Sequence, residues 1–134
     1  PGVPHVSENF RVVSIIGRFL EHSRIYYFHN GGKPDIYLGS ADLMRRNLDR
    51  RVEVLFPLEN PALKKQMRDD VLEIYLRDTT RAHELTTEGH YVRVHPAPGD
   101  APFSAQDYFL RQRADAALKA GNPPAPVETK HKKR

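Results

Sequence analysis

Apolar positions along the chain change period several times before residue 95 and then thin out. In residues 7–20 (SENFRVVSIIGRFL), Val12, Val13, Ile15, Ile16, Phe19 and Leu20 fit one face of a short helix opened by Ser7, with Gly17 weakening it. Residues 24–28 (RIYYF) are β-branched and aromatic and stop at Asn30-Gly31-Gly32; residues 35–39 (DIYLG) follow. Two such runs around a Gly-rich turn predict a hairpin. Residues 52–56 (VEVLF) read as a third strand ended by Pro57. Asn60-Pro61 has the form of an N-cap followed by proline at the first helical position. Leu63, Met67, Val71, Ile74 and Tyr75 then recur at helical spacing, predicting a helix from about 60 to 83. Residues 91–94 (YVRV) give a last strand. Helices and strands around one sheet imply an α/β (α+β layered) fold, a mixed sheet packed by helices.

Composition divides the chain. Six of the 11 prolines lie in residues 96–134, and HPAPGDAP (95–102) reads as a linker. Residues 103–120 predict a helix with Ser104 as N-cap and a weak stripe of Phe109, Leu110 and Leu118. Residues 121–134, Pro-rich and then basic to KHKKR, read as a disordered tail. The expected organisation is therefore a patterned unit over 1–95, a linker and short helix over 96–120, and the tail over 121–134. At 134 residues and 39% hydrophobic, the chain has material for one modest core. No apolar run approaches the roughly 20 residues of a transmembrane helix. The N-terminus lacks the pattern of a signal peptide, and its first residue is not Met, which suggests a fragment. Absence of cysteine removes disulfide scaffolds, thiolate zinc sites and cysteine nucleophiles, and is compatible with a cytoplasmic setting.

Charge changes the picture less than its total suggests. Residues 1–95 hold 14 basic and 13 acidic side chains; residues 96–134 hold 7 and 4. The net +4 is mostly a property of the tail, so bulk charge gives no nucleic-acid signature. Within the patterned unit the basic cluster is local: Arg45, Arg46, Arg50 and Arg51, interleaved with Asp49 and Glu53. It suits either an anion-attracting surface or a set of mutual ion pairs.

Several motifs fail to close. Gly31-Gly32-Lys33 lacks the rest of a P-loop and runs into Pro34. His83-Glu84 has no second histidine at the zincin spacing. His90 and His95 fall on opposite faces of an extended segment. The region around His22 is more promising. His22 and Arg24 share one face at the entry of a strand that Asn30 closes, while Gly39-Ser40-Ala41-Asp42 closes the next. Flanks of paired strands meet in space, so an imidazole, a guanidinium, an amide and a hydroxyl are candidates to converge on a phosphate. A solvated turn histidine has the same local signature.

SIIGRFLEHSRIYYFHNGG, then YLGSADLMRRNLDRRVEVLFPLENPALKKQ, with PGVPHVSEN ahead of them, closely resemble bacterial polyphosphate kinase of the phosphohistidine type over roughly residues 1–95. The resemblance implies reversible transfer of the terminal phosphate of ATP to polyphosphate through a phosphorylated histidine. It implies two C-terminal domains, each like half of a phospholipase D, of which this chain is most of the second. His22 matches the second active-site histidine, which contacts nucleotide phosphates opposite the nucleophile. Arg24, Asn30 and Ser40 are weaker expected phosphate contacts. Arg24 stands where the wider phospholipase D-like pattern has Lys, Gly39-Ser40 match its Gly-Ser, and its Asp has no clear match, His29 being nearest.

The first domain, with the phosphorylated histidine, has no match, and the chain starts just after an arginine the family uses for nucleotide phosphates. The piece alone is accordingly expected not to catalyse synthesis. If a preceding segment supplied a strand, an open sheet edge here would favour self-association or pairing with another domain. Magnesium is implied by the resemblance, with no metal-ligand cluster in this sequence. Implied partners are ATP or ADP, polyphosphate, the remaining domains and further copies in a homo-oligomer, with membrane association of the full enzyme left open. Two alternatives stay open: a phospholipase D-like phosphodiesterase working as a dimer with His22 as nucleophile, and a non-enzymatic polyanion-binding module using Arg45–Arg51 and the tail.

Overall fold

A computed structural model describes residues 1–121. The hairpin forms where the residue pattern places it. β2 (Arg24–Phe28) and β3 (Asp35–Gly39) pair antiparallel, with Arg24 opposite Gly39 and Phe28 opposite Asp35. Asn30, Gly31 and Gly32 make the turn, all at positive φ, which glycine adopts freely and asparagine tolerates. Asn30 Nδ2 donates to Asp35 Oδ2 at 2.7 Å and closes it. The Phe28 and Tyr37 rings meet edge-on.

The layered α/β class holds, but the single sheet does not. The described residues form two three-stranded antiparallel sheets: β2–β3–β4, with β4 at Leu55–Pro57, and β1–β5–β6, with β1 at Val13–Ile15, β5 at Ala82–Leu85 and β6 at Tyr91–Arg93. β1 and β2 are both edge strands, joined by the irregular stretch 16–23. The helix expected over 7–20 is absent. Four of the five residues from Val12 to Ile16 are β-branched, and Val13–Ile15 pair with Ala82–Glu84 instead. Gly17 also has a packing reason: a Cβ there would fall 2.2 Å from Gln106 Oε1.

The expected third strand is displaced towards its C-terminus. Ser40 N donates to the Val54 carbonyl at 3.1 Å, and Gly39 has no side chain because Val54 O would lie 2.7 Å from its Cβ. Ladder pairing with β3 then starts at Leu55. Between these strands, Arg45–Arg50 of the basic cluster form the short helix α1.

The long helix starts as predicted. Asn60 Oδ1 accepts from the amides of Ala62 and Leu63, with Pro61 opening α2 (Pro61–Gln66). The helix continues through a π-helical segment, Met67–Leu72, into α3 (Glu73–Leu76) and stops there, short of residue 83. Asp78 ends it. This 2% exposed carboxylate accepts from the amides of Thr80, Arg81 and Ala82 through Oδ1 (2.9, 2.6 and 3.2 Å) and of Ala105 through Oδ2 (2.8 Å). Residues 82–85 leave that turn extended, as the strand β5 that helical spacing had concealed.

Residues 96–102 carry no helix or strand; Phe103 O then accepts from the amides of Thr79 and Thr80. α4 (Ala105–Lys119) follows, with Ser104 Oγ accepting from Asp107 N as its N-cap. Of the expected stripe, Phe109 packs on Tyr75 with ring centroids 5.2 Å apart, whereas Leu110 and Leu118 stay exposed. The tail expectation falls on residues 122–134, outside the described residues. The buried apolar set is small: Ile36, Ala41, Ile74, Ala82 and Ala105. No described helix is long and apolar enough to cross a membrane.

Candidate functional site

A cleft of about 1020 Å³ lies between the two sheets. Val13 and Ile15 of β1, Ile25 and Leu38 of the hairpin, and Met67 and Val71 beneath give it apolar walls. Glu21, His22, Ser23, Arg24 and Ser40 supply a polar flank at the point where β2 begins and β3 ends. The antiparallel register brings this about: Arg24 opposite Gly39 sets His22 and Ser40 on the same end of the hairpin. Asn30 is not brought there. It sits at the other end of the hairpin, a five-residue strand away, which is about 16 Å at strand rise.

His22 is exposed, lines the cleft, and makes no side-chain hydrogen bond among the described residues. Arg24 is held on several sides. Its Nε donates to Asp42 Oδ1 at 2.5 Å, its Nη2 pairs with the same oxygen, and its Nη1 reaches the carbonyls of Ser23 (3.2 Å) and Glu21 (3.4 Å). Asp42 in turn accepts from Asn47 of α1 at 3.3 Å. Most of the guanidinium is thus committed to the protein. Ser40 is committed as well: its hydroxyl donates to Glu53 at 2.5 Å and accepts from Val54 N at 3.2 Å. Arg45, Arg46 and Arg50 line a separate depression of about 380 Å³ with Asp49.

The Arg24 hydrogen bond holds the Asp42 carboxyl below its ordinary 3.8 against the opposing effect of desolvation, with the Arg24 charge adding a lesser pull in the same direction. A depressed folded-state pKa adds stability that is fully present above the unfolded value and is lost as pH falls through the folded one. Unfolding measured from pH 6 down to pH 2.5 should show Asp42→Asn less stable than wild type at pH 6, with the two converging as the medium passes below pH 3.8. A gap that stays constant across that range would contradict this role for the pair.

Three further residues, Glu21, Tyr75 and Gln106, shape the site and were not among its expected residues. Glu21 Oε1 accepts from Gln106 Nε2 at 2.7 Å, and Glu21 Oε2 accepts from the Tyr75 hydroxyl. Burial, followed by the Glu21 hydrogen bond, pushes the Tyr75 phenol up, so it remains a donor. Among the described residues no group of three His, Asp or Glu side chains could hold a metal ion. Glu21, Asp42 and Glu53, the carboxylates near the cleft, are each taken by hydrogen bonds, so these residues do not fit a magnesium site.

The fold and site define a layered α/β unit with an imidazole free at the mouth of an open cleft. The family model described as polyphosphate kinase C-terminal domain 2 matches residues 1–106, and the chain belongs to that family. It is 50% identical over 122 residues to polyphosphate kinase 1 of Chlorobaculum tepidum, covering 90% of this chain and 17% of the relative. To the polyphosphate kinase of Synechocystis sp. it is 54% identical over 112 residues, 84% of this chain and 15% of the relative. The crystal structure of polyphosphate kinase from Porphyromonas gingivalis superposes with a TM-score of 0.77 at 36% identity, over 89% of this chain and 18% of that one. The chain therefore spans about a sixth of the length of these proteins.

Proposed function

We propose that this chain forms the C-terminal part of a polyphosphate kinase that moves the terminal phosphate of ATP reversibly onto polyphosphate, by way of a histidine outside this chain. Its partners are then ATP or ADP, polyphosphate, the remaining domains and further copies of the enzyme. The observation that carries the reading is His22: an imidazole with no protein hydrogen-bond partner among the described residues, at the mouth of a cleft, in a chain about half identical to polyphosphate kinases. Phosphoryl transfer asks mainly for positioning and for charge stabilisation on the transferring group. His22 supplies a hydrogen bond to a phosphate oxygen and serves as a proton donor or acceptor to the transferring group. Arg24, held by Asp42 and by the Glu21 and Ser23 carbonyls, braces the strand entry beside His22. Ser40, engaged with Glu53, shapes the wall. Asn30 has no part. Magnesium arrives with the nucleotide as substrate, and no step in this chain runs through it.

The chain alone, given ATP, magnesium and a polyphosphate primer, should release no sustained ADP. A chimaera in which it replaces the equivalent segment of the Chlorobaculum tepidum relative should lengthen polyphosphate. Chain growth by the 134-residue protein alone, or a folded but silent chimaera, overturns the reading. The depression formed by Arg45, Arg46 and Arg50 favours one second reading, a non-catalytic polyanion-binding module. That reading requires polyphosphate binding that weakens steeply with salt and survives His22→Ala.

A further inference from the structure

We infer that Gln106, on the first turn of α4, is a positioning residue for His22, acting as a latch on the segment that carries it. The inference rests on the functional reading above.

Residues 16–23 have no ladder or helix of their own, yet they deliver His22 to the cleft. At their start, Ile16 N donates to Arg81 O at 3.0 Å; at their end, Arg24 Nη1 reaches the Glu21 and Ser23 carbonyls. The middle is held chiefly by Gln106. Gln106 Oε1 accepts from Phe19 N at 3.2 Å, while Gln106 Nε2 donates to Phe19 O at 3.0 Å and to Glu21 Oε1 at 2.7 Å. A side-chain amide with matched donor and acceptor thus pairs with a backbone amide as a neighbouring strand would. Gln106 is 7% exposed, so water competes poorly for these bonds. The Tyr75 hydroxyl takes the other Glu21 oxygen, which fixes the residue directly before His22.

Gln106 is itself placed by the best-buried part of the molecule. Its neighbour Ala105 is fully buried, and Ala105 N is bound by Asp78. Gly17 leaves the space the side chain occupies, since a Cβ there would lie 2.2 Å from Gln106 Oε1. Two independent variants therefore release the latch: Gln106→Leu removes its polar atoms, and Gly17→Ala displaces it sterically.

Misplacing an active group by about 1 Å costs up to 100-fold in rate. In the chimaera, both variants should lower kcat by 10- to 100-fold with KM for ATP changed less than threefold. Ser104→Ala, which removes the α4 N-cap and leaves the latch intact, should keep kcat within twofold. In the 134-residue chain, amide exchange at Phe19 should accelerate at least tenfold in Gln106→Leu. A Gln106→Leu chimaera turning over at the wild-type rate overturns the inference, as does unchanged exchange at Phe19. Equal kcat losses in Ser104→Ala and Gln106→Leu overturn it too, because they would mark a general effect of α4. A silent wild-type chimaera overturns the functional reading instead.

Discussion

His22→Ala abolishes most polyphosphate synthesis by the chimaera: kcat falls by about 10²- to 10⁴-fold, the range that one general acid–base group supplies. The loss appears in the reverse direction as well, ATP formation from ADP and polyphosphate, because both directions cross the same transition states on either side of the phosphohistidine. KM for ATP moves little, since an interaction made chiefly in the transition state registers in kcat. Circular dichroism and the thermal midpoint stay at wild-type values, His22 being exposed and without a protein hydrogen-bond partner among the described residues. Initial rates in both directions check the expectation. Less than a tenfold loss would mean that the imidazole is a bystander in the cleft wall.

Asp78→Ala has the largest effect on stability. Four backbone amides lose their acceptor together. Thr80 and Arg81 can turn to water, but Ala82 and Ala105 are 1% and 0% exposed. Buried donors left unpaired cost about 1–3 kcal/mol each, so a loss of about 3–5 kcal/mol is expected. That is a large share of the stability of an ordinary domain. Asp78→Asn keeps one carbonyl oxygen and should lose less than half as much. Urea unfolding of the three proteins gives the comparison; a loss under 1 kcal/mol in Asp78→Ala would show that water replaces the carboxylate.

The parts of the fold legible in the sequence are those governed by local chemistry. Asn60-Pro61 and Ser104 mark helix starts through caps that act within a few residues, and Asn30-Gly31-Gly32 marks a turn that only positive φ allows. The misread parts depend on distant partners. Val13–Ile15 become a strand because Ala82–Glu84 lie beside them, some 70 residues along the chain. Ala82–Leu85 become a strand because Asp78 turns the chain. For the site, His22, Arg24 and Ser40 share a hairpin end and could be placed together from strand period. Asn30 belongs to the opposite end, a distinction that register makes and residue type does not. Asp42 lies two residues beyond Gly39-Ser40, but its partner is settled only by how the strand entry folds back. Gln106 carries no motif at all; 85 residues separate it from Glu21.

The widened winding at Met67–Leu72 explains how one helix keeps a straight row of side chains under the cleft. Met67, Val71 and Tyr75 are four apart, and in regular α-geometry each step of four advances about 40° around the axis. A π turn takes in more residues per revolution and cancels much of that drift. The helix carries an angular correction, so Tyr75 still points at Glu21 two turns after Met67 has set the floor. Removing a single residue from this stretch would swing the phenol about 100° aside, leaving every downstream contact out of phase.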